Sequence, residues 1–134
     1  MNLQALSELS SFNCTEQYWK LPLFRRLVYT DGVRHLVKNA DCYWLLDEIA
    51  GAQHEAKIKN DESLQGMQFW TLKKVGPSSA TLICERDTDD VAWTKQIEFT
   101  DFPFATVGDA FRIWVAPTFV DGVTKMVAYL PSEH

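Results

Sequence analysis

Trp70-Thr71-Leu72-Lys73-Lys74-Val75-Gly76-Pro77-Ser78-Ser79-Ala80-Thr81-Leu82-Ile83-Cys84 is the stretch whose reading decides the fold. Trp70 and Leu72 alternate with polar neighbours, as do Ala80, Leu82 and Cys84, and a period of two is the mark of a half-buried strand. Gly76-Pro77-Ser78 between them has turn composition. Two strands joined by so short a link must run antiparallel. The same rhythm continues toward the C-terminus. After the turn residues Asp87-Thr88-Asp89-Asp90, Val91, Trp93, Ile97 and Phe99 mark a third strand. A longer connection, Thr100–Asp109, leads to a fourth strand at Phe111, Ile113 and Val115. Asp121-Gly122 is a hairpin signal, because the favoured two-residue turn needs positive φ, and Met126, Ala128 and Leu130 mark a fifth strand.

Before Gly66 the spacing is helical instead. Leu3, Leu6 and Leu9 suit a short helix. Thr15 is a candidate cap for a segment opening Glu16-Gln17-Tyr18-Trp19. Pro22 interrupts that segment or starts a new one, with Leu23/Leu27 and Phe24/Val28 at four-residue spacing. Thr30-Asp31-Gly32 reads as a break and a fresh cap, followed by Val33, Leu36, Val37 and Ala40 in the pattern of an amphipathic helix. Asp41 is the expected cap of a further helix in which Cys42, Leu45, Leu46, Ile49 and Gln53 share a face. The polar run His54–Gly66 reads as a loop. Helices in one block and strands in another predict an α+β fold. The expectation is one domain over residues 1–134, with a helical half over about 1–60 and an antiparallel sheet of five strands over about 66–131. The helices pack on one face of that sheet.

Composition narrows the function classes. The chain has 134 residues, 46% of them apolar and 23% charged, an ordinary globular balance. Residues 1–66 hold seven Lys/Arg against nine Asp/Glu, and residues 67–134 hold six against nine, giving −2 and −3 of a net −5. A mild, evenly spread negative charge disfavours contact with phosphate backbones, so a nucleic-acid partner is not expected. Cys14, Cys42 and Cys84 are far apart and form no CxxC pair. Their odd number and the absence of a signal-like start point to reduced thiols in the cytoplasm. No apolar run approaches the roughly 20 residues of a membrane span.

Four phrases occur in order: Tyr29-Thr30-Asp31-Gly32-Val33, Tyr43-Trp44-Leu45-Leu46-Asp47, Thr100-Asp101-Phe102-Pro103-Phe104 and Leu130-Pro131-Ser132-Glu133-His134. Together they resemble a family of small uncharacterised bacterial proteins often carried on plasmids and phages. The resemblance spans about Thr15 to the C-terminus. It implies a single cytoplasmic domain in a mobile-element setting and carries over no catalytic or binding residue.

Two constellations stand out as candidate sites. Asp31 and His35 are four apart, and Tyr43, Asp47 and His54 share a helix face. Were the two helices to pack side by side, carboxylates beside imidazoles could act as a base, orient a water or hold a metal. The simpler reading has Asp31 favouring a helix start and the histidines at the surface. Asp47 and Gln53 lie in a largely apolar helix, where a polar group needs a hydrogen-bonded anchor role or a function. The second constellation is aromatic. Trp114 is out of phase with Phe111, Ile113 and Val115, and Tyr129 is out of phase with Met126, Ala128 and Leu130. In adjacent strands they would form an apolar patch on the outer sheet face, a common mark of an interface, or would be covered by a loop. The leading expectation is therefore a non-enzymatic binding or interaction protein, with a homo-oligomer or another protein as partner and Trp114 and Tyr129 at the interface. The alternative is an enzyme or a small-ligand or metal binder built on Asp31, His35, Asp47 and His54; Tyr43 and Gln53 are further candidate binding residues. No phosphate loop, nucleophile elbow, HExxH or calcium-loop motif is present, so no cofactor or metal is expected.

Overall fold

A computed structural model describes residues 1–134. Seven strands form one sheet: β1 (Trp19–Lys20), β2 (Leu27–Tyr29), β3 (Gln68–Gly76), β4 (Ser79–Asp87), β5 (Asp90–Ile97), β6 (Ala110–Val120) and β7 (Val123–Tyr129). Their spatial order is β1-β2-β7-β6-β3-β4-β5. Six helices accompany them: α1 (Leu3–Leu6), α2 (Asp31–Asn39), α3 (Tyr43–Ala52), α4 (Ala56–Lys59), α5 (Glu62–Gly66) and α6 (Phe104–Val107). The fold is α+β, and no helix is long and apolar enough to cross a membrane.

The five strands expected from the period-two pattern are present and pair antiparallel. The sheet nevertheless has seven strands rather than five, and it is mixed, because β2 pairs in parallel with β7. The two added strands fall where helix was expected, at Trp19–Lys20 and Leu27–Tyr29. Their disguise has a physical cause. All three residues of β2 are buried, with Leu27 and Tyr29 in the main core and Val28 in a small cluster on the opposite face. A strand buried on both faces loses the apolar–polar alternation and produces four-residue apolar pairs by accident. Thr15 opens no helix at Glu16; its hydroxyl instead accepts from the backbone N–H of Asp31, the first residue of α2.

Two further expectations need correction. The run 54–66 holds α4 and α5, each anchored by one fully buried residue, Ile58 and Leu64. Single anchors in a polar stretch leave no periodicity to read. The cap position of α3 belongs to Cys42, while Asp41 takes positive φ of 52° in the link from α2.

Twenty-eight buried residues form the main core. Trp70, Leu72, Leu82, Ile113, Val115 and Ala128 supply the sheet's inner face, and Val33, Leu36, Val37, Leu45, Leu46 and Ile49 supply the helices. The C-terminal residues close over the start of α2. The Glu133 carboxylate accepts from the Thr30 hydroxyl at 2.7 Å, the Gly32 N–H at 3.2 Å and the Leu130 N–H at 2.9 Å. It thereby satisfies a free amide at the helix N-terminus, where the dipole also favours negative charge. A side chain at position 32 would collide with this carboxylate, since an added Cβ would stand 2.5 Å from Glu133 Oε1.

Candidate functional site

The outer face of the sheet is apolar at its centre and charged at both ends. Strand register sets Tyr129 opposite Trp114 and Trp114 opposite Phe69. The Trp114 ring meets Phe69 edge-on at 5.3 Å and Tyr129 edge-on at 6.2 Å. Tyr129 is 8% exposed, and its burial raises the phenol pKa. Its hydroxyl pairs with His134 Nδ1 at 2.9 Å, and the His134 ring stacks on it. Tyr129 thus supports the patch from beneath the C-terminal residues, and Trp114, half-buried, remains at the surface with Phe69 and Ile83. Two residues further along the strands lie Arg112, Thr71 and Ile83 in one row, with Lys73 beyond. In the other direction Glu85, in the same row as Phe69 and Trp114, and Asp87 and Asp89 of the β4–β5 turn line a depression of about 300 Å³ together with Phe69, Trp114 and Arg112. Asp89 sits at φ 61°, held by its N–H donating to Glu85 Oε2 at 2.9 Å.

Asp31 and His35 line a second depression, on the helical side, between α2 and β1. Asp31 Oδ1 accepts from the Trp19 indole N–H and Oδ2 from the Glu16 N–H, both at 2.9 Å. The Trp19 bond first and the Glu16 bond second hold the carboxyl below the usual carboxylate range. Such a group is a poor proton acceptor, and its evident work is to fix Trp19. His35 Nε2 lies 2.7 Å from the Ala5 carbonyl. A carbonyl can only accept, so Nε2 carries the hydrogen.

Asp47 and His54 lie elsewhere. Asp47 is exposed, contrary to the expectation of an apolar surrounding, because it occupies the one solvent-facing stripe of α3. His54 is also exposed and stands 6.5 Å from the Phe24 ring. No hydrogen bond or ion pair joins any two of Asp31, His35, Asp47 and His54, and no group of three or more His, Cys, Asp or Glu side chains could hold a metal ion. Tyr43 is largely exposed beside Tyr29, whose phenol is pushed up mainly by burial.

Gln53 joins an internal network. Gln53 and Gln68 exchange amide hydrogen bonds of 2.9 and 2.8 Å. Gln68 Oε1 also accepts from the Trp70 indole N–H, and its Nε2 also donates to the Leu64 carbonyl. Every buried side-chain polar atom has a partner, so this arrangement ties α3 and α5 to β3.

Burial pushes the Cys42 and Cys84 thiols up to about 12, with Asp41 and Asp101 adding to the effect on Cys42. Only the thiolate is nucleophilic. Iodoacetamide is therefore expected to alkylate one thiol per native chain, the exposed Cys14, and all three after unfolding. Rapid modification of two or more in the native state, counted by intact mass, would contradict this assignment.

Sequence reasoning singled out Trp114, Tyr129, Asp31 and His35 but missed Phe69, Arg112, Trp19 and Arg34. Phe69 had a signal, being out of phase with Trp70 and Leu72. Trp19 had none, because its partner Asp31 reaches it only through the unexpected β1. The chain matches the family model described as Family of unknown function (DUF6876) over residues 3–134, and it belongs to that family. No curated protein and no solved structure matches it.

Proposed function

We propose that this member of a family of unknown function is a single-domain interaction protein that pairs with a second copy of itself through the outer face of its sheet. One observation carries the reading: along the strands, the row that holds Trp114, Phe69 and Glu85 is followed on one side by Arg112 and then Lys73, and on the other by Asp87 and Asp89 of the β4–β5 turn. Such a face is self-complementary. A two-fold axis crossing the strands lays the basic end of one copy on the acidic end of the other and stacks the aromatic centres, as an isologous interface requires. Half-exposed aromatics with an arginine beside them are also the composition of interface centres. The likeness to plasmid and phage proteins supports a mobile-element setting, and three free thiols support a reducing, cytoplasmic one.

Sedimentation equilibrium tests the pairing. Wild type is expected at the mass of two 15.4 kDa chains, weakening with salt as exposed charges are screened. Arg112→Glu should give a monomer, since like charges then face each other, and adding Asp87→Arg should restore the dimer. Trp114→Ala should weaken association about tenfold or more, the scale of a buried aromatic anchor. A wild-type monomer at every concentration, or a dimer indifferent to Arg112→Glu, would refute it.

A further inference from the structure

We propose that the depression between β1 and α2 is a binding site for a small molecule carrying a phosphate group beside a flat ring. It lies on the helical side of the sheet, so it stands or falls independently of the outer face. Its volume, about 480 Å³, is within the range of small-molecule sites.

The chemistry of its walls is cationic and aromatic. The Arg34 guanidinium lies 3.8 Å above the centre of the Trp19 ring. Held over the ring and making no hydrogen bond of its own within the chain, the guanidinium has N–H groups to offer to the oxygens of a phosphate. Lys38 follows one turn later on the same helix face. Neither side chain takes part in an ion pair. The one carboxylate in the wall, Asp31, is already met by two N–H donors and holds the indole that Arg34 covers. Asp31 keeps its negative charge, which Arg34 also feels, but both of its oxygens are occupied by N–H donors, and the two cations outnumber the one carboxylate, so the cleft stays attractive to an anion. Two cations with Gln17 and Asn39 nearby suit a dianion with three oxygens better than a carboxylate. The far wall is aromatic: Phe12 lies against the His35 ring at 5.0 Å, and His35 is anchored through Nε2 to the Ala5 carbonyl. A flat ring next to the phosphate would lie against that wall.

The test follows the Trp19 indole N–H resonance, assigned with Trp19→Phe, while inorganic phosphate, phenyl phosphate and benzoate are titrated into the full chain. Phosphate should give a saturable shift, phenyl phosphate should bind more tightly, and benzoate should bind at least about tenfold more weakly than phenyl phosphate, as loss of the paired charge contacts implies. Arg34→Gln and Lys38→Ala should each weaken phenyl phosphate binding by about tenfold. Lys38 is exposed and makes no internal hydrogen bond, so its variant keeps the fold. No saturable shift with either phosphate compound, affinity unchanged in Lys38→Ala, or benzoate binding as well as phenyl phosphate would each overturn the proposal.

Discussion

Gln68→Ala is expected to lower the unfolding free energy by about 3–5 kcal/mol, enough to remove a large share of a small domain's stability. Gln68 is 0% exposed. Its amide makes four hydrogen bonds to three residues: it accepts from Gln53 and Trp70 and donates to Gln53 and the Leu64 carbonyl. Truncation leaves the Trp70 indole N–H without an acceptor inside the core and strips Gln53 of its reciprocal pair. An orphaned buried polar group costs about 1–3 kcal/mol, and the vacated volume adds a cavity term. Gln53→Ala should cost less, because Gln68 would keep Trp70 and Leu64 and the site borders solvent. Urea unfolding followed by tryptophan fluorescence gives both values. A loss below about 1 kcal/mol for Gln68→Ala would mean that water replaces the amide at Trp70 and Leu64, which would contradict the assignment.

Gly32→Ala is the second large effect, at about 2–3 kcal/mol. Alanine is ordinarily the better helix residue, by about 1 kcal/mol, so the expected sign is opposite to the intrinsic one. The reversal comes from the C-terminal clamp. An added Cβ would meet Glu133 Oε1 at 2.5 Å and Leu130 Cδ1 at 2.8 Å. Both are ends of flexible side chains and can swing away, but Glu133 can do so only by giving up Thr30, Gly32 and Leu130. The cost is then mostly lost hydrogen bonds to a charged acceptor plus a disturbed Leu130 contact. Glu133→Ala should cost about 1–2 kcal/mol, in the range of a lost helix cap. The two substitutions should be sub-additive, because the first already displaces the second's side chain. Full additivity would show that Gly32 and Glu133 do not share one clamp.

That clamp also joins two of the four phrases quoted from the sequence. Thr30-Asp31-Gly32 and Leu130-Pro131-Ser132-Glu133 stand about a hundred positions apart and meet at one carboxylate. The other two phrases supply core residues, Leu45 and Leu46 from α3 and Phe102 and Phe104 around α6. What these phrases supply in the fold is therefore largely packing and capping. Tyr43, Asp47 and Asp101 are the exposed members of those phrases, and no contact in the fold accounts for Asp47.

Among the sheet's C-terminal five strands, β4 and β6 were legible because burial alternates along them, which writes alternation into the sequence. β5 has only half-buried residues, yet Trp93 and Ile97 still keep the phase, and β7 keeps it through Met126 and Ala128 although it ends in three consecutive buried residues. β2 was not, since burial on both faces erases that alternation. α4 and α5 were not, since one anchor residue cannot show a period. The outer aromatic patch was half legible. Phase placed Trp114 and Tyr129 on the outer side of adjacent strands, but which of them faces solvent depended on His134, a contact no local pattern encodes. The charge pattern around the patch required strand order as well: Arg112 shares β6 with Trp114, but Glu85 stands beside Phe69 only because β4 pairs with β3.

The pairing of two copies through this face is tested most directly by isotope-filtered NMR on a dimer mixed from labelled and unlabelled chains. The account predicts intermolecular contacts from the Ile83 methyl groups to the Trp114 and Phe69 rings of the other copy. A dimer by mass whose intermolecular contacts all arise elsewhere, or a sample with none, would contradict it.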